Sequence, residues 1–377
     1  MKCHGRSTLS EFMGDRVVYR GLTSPDRSLP GLDEIRRQIG LAEGVVPRKN
    51  ELDYARVILH LLQVCRMQDR PGERIENLIF IGDTRLLDGT AFANLCRVSR
   101  LPGLAFIASE NNQPASTDLV EGEIGDPLFL SNRWSALVDF DQFCAQRGQP
   151  VQERTAALID IDKTAIGARG RNGNAIDQAR MEAVKETVAG LLGADFNQQA
   201  FRSSYEPLNQ PEFHPFTADN QDYLAYICLI LGSGLYSYEG LVERVRGDQL
   251  ISFTQFITEV DTRKQELTGR LFEIHREIYA NVKAGDPTPF KEFRRNEYRL
   301  TLGRFGCLED SAPVEKMLAE EILITQEVRA MALAWQERGV LLFGLSDKPD
   351  EASLPTPELA AQGYLPLHRA ETHAIGS

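Results

Sequence analysis

Cysteine is scarce in this sequence, and the spacings by which cysteines hold a metal or a disulfide framework are missing. The six cysteines are scattered, without a C-x-x-C pair and without a histidine partner at metal-ligand spacing. This pattern gives no indication of a zinc site and disfavours a secreted fold stapled by disulfides. We therefore expect reduced thiols, as in a cytoplasmic protein.

Long apolar runs are also missing. No stretch approaches the roughly 18 uninterrupted apolar residues of a membrane-spanning helix. Residues 1–6 are followed by polar and acidic residues rather than by the apolar run of a secretory signal. The longest apolar candidate, residues 223–235, contains Gly232 and Gly234 and is predicted to be a buried helix or turn. The expectation is a cytoplasmic protein with no membrane partner.

Positive charge is in deficit. The chain has 42 basic against 54 acidic residues, a net charge of -12, so it lacks a general electrostatic attraction for nucleic acid or anionic lipid. A small-molecule partner is therefore favoured over nucleic acid. With 377 residues, 42% of them hydrophobic, the chain can bury a large core, and its length favours two domains.

Four short apolar runs predict the buried strands of a parallel sheet, because each ends at a polar or glycine-containing turn. They are residues 78–81, 104–108, 156–159 and 340–345. Amphipathic segments of helical period, residues 51–67 and 319–338, alternate with them. The alternation predicts an α/β fold with a doubly wound, Rossmann-like parallel sheet.

Residues 169–318 differ in character, with few strand-like runs and several long helical patterns. We predict an all-helical inserted domain there, and an α/β core made of residues 1–168 plus 319–377. The longest predicted helix covers residues 260–282, where apolar side chains recur on one stripe. That stripe is expected to be the core of the insertion.

Two acidic residues follow the third predicted strand, in the sequence Asp160-Ile161-Asp162-Lys163-Thr164. In an extended chain residues i and i+2 face the same way, so both carboxylates are expected at the carboxyl end of the strand, where doubly wound sheets bind ligands. Carboxylates so close together repel each other, which favours a hard divalent cation such as Mg²⁺. An acidic strand end exposed to water is the alternative.

This strand followed by D-x-D-x-T resembles the first signature of the haloacid dehalogenase superfamily. The resemblance implies that Asp160 is the nucleophile that accepts a phosphoryl group and that Asp162 is the general acid and base. Both would be Mg²⁺ ligands, and Thr164 would contact the substrate. The implied function is Mg²⁺-dependent hydrolysis of a phosphate monoester through an aspartyl-phosphate, chemistry that a carboxylate with a neighbouring acid can perform.

Residues 77–88, NLIFIGDTRLLD, resemble the acidic motif of the same family, an apolar strand followed by G-D-x-x-x-x-D. The match implies that Asp83 and Asp88 complete the metal site. An ordinary strand-to-helix loop with an N-capping aspartate is the alternative for this segment taken alone.

Residues 340–349, VLLFGLSDKP, resemble the family strand that ends in serine or threonine. Ser346 would then donate a hydrogen bond to a phosphoryl oxygen, and Asp347 replaces the usual asparagine. The catalytic lysine of the family precedes the acidic motif, a place that Lys49 occupies at the start of the predicted helix 51–67. Lys49 would bind the substrate and neutralise developing charge; Arg48 and Lys348 are the alternatives.

The motifs follow one another in a cyclic rotation of the family order, with the lysine and acidic motifs ahead of the nucleophile and the serine last. A rotation preserves every neighbour in the sheet and is tolerated when the original termini lie close together. We therefore predict a circular permutation, with residues 108–152 as the new joint, a linker or surface excursion. The insertion at 169–318 would be the helical cap that selects the substrate.

Basic residues near these motifs are candidates for binding an anionic substrate. They are Arg169 and Arg171, and a cluster formed by Lys291, Arg294, Arg295, Arg299 and Arg304, although the interleaved Glu292 and Glu297 favour a solvated helix face for that cluster. The alternative function is a non-enzymatic module that binds a phosphorylated ligand on the same fold. Retention of both candidate catalytic aspartates argues against it. The sequence does not indicate the natural substrate or the oligomeric state.

Overall fold

Helices alternate with strands in the computed structural model, which describes residues 1–122 and 125–377. The strands are β1 (Lys2–Ser7), β2 (Val17–Val18), β3 (Asn77–Gly82), β4 (Gly103–Ala108), β5 (Thr117–Glu121), β6 (Pro127–Ser131), β7 (Thr155–Asp160), β8 (Ile324–Thr325), β9 (Leu341–Leu345) and β10 (Thr372–Gly376). The helices are α1 (Ser10–Met13), α2 (Leu32–Ile39), α3 (Leu52–Asp69), α4 (Leu87–Ser99), α5 (Leu137–Gln146), α6 (Gly173–Leu192), α7 (Gln198–Leu208), α8 (His214–Thr217), α9 (Gln221–Gly232), α10 (Tyr238–Arg246), α11 (Phe253–Thr262), α12 (Gly269–Lys283), α13 (Lys291–Leu302), α14 (Val314–Glu320), α15 (Gln326–Glu337) and α16 (Pro357–Ala361).

Seven of the strands form one mainly parallel sheet, in the order β2–β9–β7–β3–β4–β6–β5. Neighbours are parallel except for β5, which is antiparallel to β6. Strand β7 lies between β9 and β3, and Asp160 at its end is the register partner of Leu345. The predicted α/β fold with a mainly parallel sheet flanked by helices is confirmed, and the four predicted strands are β3, β4, β7 and β9.

Helices cover both faces of this sheet, which is why its inner strands are apolar at nearly every position. Ala105 of β4 belongs to the buried core that includes residues of α3 and α4. The next residue, Phe106, points to the other face and packs against Phe140 of α5, with 5.6 Å between ring centroids. The predicted helix at 51–67 is α3.

Two connections differ from the predictions. The segment 108–152 is not a linker, because it contains β5, β6 and α5, and β6 extends the sheet beside β4. The predicted helix at 319–338 is interrupted, since Ile324 and Thr325 form β8 and pair with β10. Strand β10 also pairs with β1, with Lys2 opposite Gly376, so a small three-stranded sheet joins the two ends of the chain.

The chain divides into two compact units: Met1–Asp177 with Thr301–Ser377, and Gln178–Leu300. The prediction had placed the divisions after residue 168 and before residue 319. The first unit contains both sheets. The second is built from helices around a core of its own, to which α9 and α11 contribute many buried apolar residues.

The predicted helix at 260–282 is two helices. Helix α11 ends at Thr262 and α12 begins at Gly269, which has a φ of +54°. Between the two helices Leu267 and Thr268 are extended, with ψ of 135° and 154°, so the helix is interrupted before the left-handed Gly269, and apolar residues of both helices face the same core.

Arg294, from the predicted basic cluster, is buried inside the helical unit. Its guanidinium lies 2.5 Å from Asp222 and 2.6 Å from Glu297. Arg294 therefore belongs to the core of the helical unit and is not an exposed anion clamp. Residues 223–235, predicted as a buried helix or turn, fall largely in the buried helix α9. Across residues 1–122 and 125–377, no helix combines the length and apolar character needed to cross a bilayer.

Candidate active site

Three buried carboxylates converge at the carboxyl end of the parallel sheet. Asp160 ends β7, Asp83 follows the neighbouring strand β3, and Asp88 lies in the first turn of α4. One oxygen of each lies within 4.8 Å of an oxygen of the other two. Adjacent parallel strands bring their carboxyl ends to one edge of the sheet, so the meeting of the two motifs follows directly from the pairing of β3 with β7.

Local backbone geometry explains how Asp88 reaches this edge. A Cβ atom on Gly82 would lie 2.6 Å from the Cβ of Asp88, so only glycine allows the helix start to approach the strand end so closely. Oδ2 of Asp88 accepts hydrogen bonds from the backbone N–H of Asp83 at 2.9 Å, and from the N–H and the hydroxyl of Thr84 at 2.8 and 3.0 Å. The loop is folded around this carboxylate, and Oδ1 is left to bind a cation.

Lys49 supplies that cation. Its side chain is 1% exposed, and Nζ donates to Oδ1 of Asp88 at 2.6 Å and to Oδ1 of Asp160 at 2.5 Å. Among the three basic candidates, Lys49 therefore lies in the carboxylate cluster. The backbone N–H of Arg48 donates to Glu51, and that of Lys348 donates to Oγ of Ser346.

The carboxylates outnumber the cations that touch them. Lys49 contacts two of the three, and the guanidinium of Arg169 pairs with Asp83, so three carboxyl groups share two cationic side chains. Burial raises the pKa of Asp160 well above its ordinary value, against the pull of Lys49. Burial and the neighbouring Asp88 likewise raise the pKa of Asp83 to about 7. Burial alone would lower the pKa of Lys49, but the two adjacent carboxylates outweigh it, so the ammonium stays charged.

The structure does not bring the carboxylate of Asp162 into this group. Asp162 is half-buried, and within residues 1–122 and 125–377 no group bonds to its carboxylate. The i, i+2 argument requires an extended chain, but β7 ends at Asp160 and Lys163 already has a φ of +63°. The chain is turning at Asp162, so its carboxylate does not point along the strand with that of Asp160.

Thr164 lies behind this turn. It is fully buried, and its hydroxyl has no hydrogen-bond partner in the described parts of the chain. Its backbone oxygen accepts a hydrogen bond from the Thr325 hydroxyl at 2.5 Å. The observed surroundings of Thr164 are therefore those of a turn-supporting residue, and the structure does not expose it to a substrate.

Ser346 follows β9, on the other side of β7 from Asp83. It is buried, and its Oγ accepts a hydrogen bond from the Lys348 N–H at 3.0 Å, which leaves its own proton for a further acceptor. Asp347, the departure from the family pattern, pairs with Arg20 at 3.0 Å.

Tyr54 is a neighbour that no motif indicated. It lies in the first turn of α3, is buried, and has a hydroxyl with no hydrogen-bond partner in the described chain. Burial raises the pKa of this phenol, and the charge of Lys49 opposes the rise. Its nearness to Lys49 in the sequence was the available signal, but an aromatic residue at the start of an amphipathic helix ordinarily indicates core packing.

Arg169 and Arg171, predicted together as an anion clamp, have different environments. Arg171 is buried and makes ion pairs with Glu110 at 2.7 Å and with Glu327 at 2.8 Å, so it holds segments of the α/β unit together. The Arg169 side chain is 38% exposed and contacts Asp83. Only Arg169 belongs to the candidate site.

Comparisons with protein-family models, with curated proteins and with solved structures find no match for this chain. The geometry and chemistry of its own residues are the basis for assigning a function. That geometry consists of three carboxylates, one buried lysine, one partly exposed arginine and one serine at the carboxyl edge of a parallel sheet.

Proposed function

We propose that the protein is a Mg²⁺-dependent phosphomonoester hydrolase of the haloacid dehalogenase type, which works through an aspartyl-phosphate on Asp160. The observation that best supports this is the Lys49 ammonium, held between Asp88 and Asp160 beside Asp83. A lysine and an acidic loop from distant parts of the chain meet the predicted nucleophile, as the rotated motif order requires.

The donor set suits a hard divalent cation. It offers carboxylate oxygens only, and Oδ2 of Asp160 is buried without a hydrogen-bond partner in the described chain. A buried acceptor without a partner is costly, so this oxygen calls for a cation or an incoming electrophile. Asp83, Asp88 and Asp160 would hold the ion. A bound Mg²⁺ would supply positive charge in addition to that of Lys49 and Arg169.

The reaction has two displacements. In the first, an oxygen of Asp160 bonds to phosphorus, the phosphorus–oxygen bond to the alcohol breaks, and the carboxyl group of Asp162 gives its proton to the leaving oxygen. In the second, the carboxylate of Asp162 takes a proton from water, the water oxygen bonds to phosphorus, and the aspartyl bond breaks. Inorganic phosphate is released, Asp160 is again a carboxylate, and Asp162 is again protonated.

The remaining residues stabilise charge and position. Lys49 faces the nucleophile and offsets the negative charge that accumulates as the phosphoryl group arrives. The hydroxyl of Ser346 donates to a phosphoryl oxygen. Substrate selection by the helical unit Gln178–Leu300 is part of the proposal, on the ground that this unit is inserted between β7 and β9, the strands of Asp160 and Ser346.

The sheet order supports the rotated relationship to the family. Strand β7 has β3 on one side and β9 on the other, so the acidic motif and the serine motif flank the nucleophile although they precede and follow it in sequence. If the acidic motif or the serine motif matched the family by chance, its strand would have no reason to lie next to β7.

The test is turnover of para-nitrophenyl phosphate and of an alkyl phosphate, with Mg²⁺ and after chelation. We expect turnover only when Mg²⁺ is present. In Asp160→Asn, the turnover of both esters should fall by at least about 10³-fold. Asp162→Asn is the matched variant. Since nitrophenolate leaves without help, Asp162→Asn should lose far more on the alkyl ester.

Acid-quenched mass spectrometry adds a direct readout. The Asp160 peptide of Asp162→Asn should gain one phosphoryl group, because the second displacement lacks its base. Turnover by Asp160→Asn at the wild-type rate would contradict the mechanism. Tight phosphate binding without turnover of either ester would favour the alternative, a non-enzymatic module that binds a phosphorylated ligand.

A further inference from the structure

Arg169 forms an ion pair with Asp83, one of the carboxylates that would hold Mg²⁺ in the proposed function. Its Nε donates to Oδ2 of Asp83, while Nζ of Lys49 donates to Oδ1 of Asp88 and to Oδ1 of Asp160. The Asp83 side chain is 6% exposed and that of Arg169 is 38% exposed. Of the two cationic side chains that contact the carboxylates, Arg169 is the one with access to solvent, since Lys49 is 1% exposed.

The backbone of Arg169 is fixed. Its N–H donates to the Lys163 oxygen at 2.8 Å, and its own oxygen accepts from the Glu110 N–H at 3.0 Å and from the Trp134 indole at 3.3 Å. Gly170 has a φ of +80°, and a Cβ there would lie 1.8 Å from the Glu110 oxygen, so this contact admits only glycine. With the main chain held, the side chain is the part of Arg169 that can leave Asp83.

We propose that Arg169 is a displaceable gate: its guanidinium would leave Asp83 when that carboxylate binds a divalent cation, and would then bind the phosphoryl group of the substrate. This inference rests on the proposed function and extends it to an order of binding, cation before substrate. A guanidinium suits both states, because its fork pairs equally well with a carboxylate and with a phosphate.

The gate links two binding equilibria. Arg169 competes with the cation for Asp83, so it weakens cation binding. Once displaced, it strengthens phosphate binding. By thermodynamic linkage, cation and phosphate must then raise each other's affinity by a factor that depends partly on Arg169.

Calorimetric titration of the full-length protein with Mg²⁺ alone tests the first half. Arg169→Gln should bind Mg²⁺ roughly fivefold or more tightly than wild type, the change expected on removing a partly exposed ion pair. The matched control is Arg338→Gln. Arg338 is 44% exposed and pairs with a single aspartate, Asp141, at 3.0 Å, but it precedes β9 and so lies at the opposite edge of the sheet from Ser346. Its Mg²⁺ affinity should equal that of wild type.

Titration with inorganic phosphate, with and without saturating Mg²⁺, tests the second half. Mg²⁺ should raise phosphate affinity by a smaller factor in Arg169→Gln than in wild type or Arg338→Gln. A mere loss of positive charge would weaken phosphate binding equally in both conditions and leave that factor unchanged.

The outcomes separate this inference from the proposed function. The gate is overturned if Arg169→Gln binds Mg²⁺ no more tightly than wild type does. It is also overturned if Mg²⁺ raises phosphate affinity by the same factor in both proteins. Either result leaves the metal site intact. An absence of Mg²⁺ binding in wild type, Arg169→Gln and Arg338→Gln alike overturns both.

Discussion

Lys49 has the highest density of charged contacts in the candidate site. Its buried ammonium touches Asp88 and Asp160, and its Nζ lies 5.6 Å from the centre of the Phe80 ring. Two carboxylates with little access to water therefore depend on one side chain for their counter-charge.

Replacing Lys49 by methionine should cost both stability and catalysis. We expect Lys49→Met to lower the free energy of unfolding by about 3–5 kcal/mol, because it leaves the buried carboxylates of Asp88 and Asp160 without their counter-charge. Turnover should fall by about 10²-fold or more, since charge stabilisation at phosphorus is lost. Urea unfolding and steady-state kinetics measure the two effects.

Lys185→Met is the control for stability. Lys185 pairs with Glu182 on the surface of α6, with side chains 31% and 35% exposed, so its loss should cost less than about 1 kcal/mol. If Lys49→Met were as stable as Lys185→Met, the buried-charge account of the site would be wrong.

The positions of Asp160, Asp83 and Asp88 could be predicted because they follow from local rules: an apolar strand, its carboxyl end, and a glycine that permits close approach. The environment of Asp162 could not, because the period of two holds only while the chain is extended. The contact between Arg169 and Asp83 depends on how the loop after β7 returns to β3, and no spacing in the sequence encodes that path.

Among the helices, the junction between α11 and α12 shows that an apolar repeat does not predict a break in a helix. Val260 and Ile274 are both buried in the same core, so apolar residues on each side of the break face one interior. The apolar repeat indicates which face of a helix is buried, but it contains no information on the backbone angle φ. Leu267 and Thr268 are extended between the two helices, and Gly269 adds a left-handed residue where α12 begins.

Two glycines of the helical unit test this reading. Neither has an atom within 4 Å of where a Cβ would lie, but Gly269 has a φ of +54°, whereas Gly190 lies in α6 without a left-handed backbone. Gly269→Ala should therefore destabilise the protein by about 1 kcal/mol. Gly190→Ala should stabilise it by about 0.5–1 kcal/mol. The urea unfolding midpoints of the two variants and of wild type measure both effects. A Gly269→Ala variant more stable than wild type would contradict the left-handed backbone of Gly269.

The whole chain is closed upon itself by strand pairing. Lys2 and Gly376 are opposite each other in the β1–β10 pair, where Cα atoms of partners are about 5 Å apart. The ends can therefore be joined by a short linker, and the chain can be opened elsewhere without losing a neighbour in the sheet.

A chain joined from residue 377 to residue 1 and opened between Gly148 and Gln149 should fold, since this turn after α5 is largely exposed. It would place the Asp160 motif first. We expect its circular dichroism, Mg²⁺ affinity and turnover to match those of the parent. A chain opened between Phe80 and Ile81, inside β3, should not fold. Failure of the first chain would contradict the permuted relationship.

The order of strands in the sheet also determines when each strand finds its partners during synthesis. Strands β3, β4, β5 and β6 are complete before β7 is made, and β7 in turn waits for β9, about half the chain later. Until Asp160 has emerged from the ribosome, β3 presents an apolar, unpaired edge, and β7 then presents another until Leu345 has emerged. The central strands, which position the carboxylates, are thus among the last to be paired, and the growing chain depends on protection of these edges from aggregation.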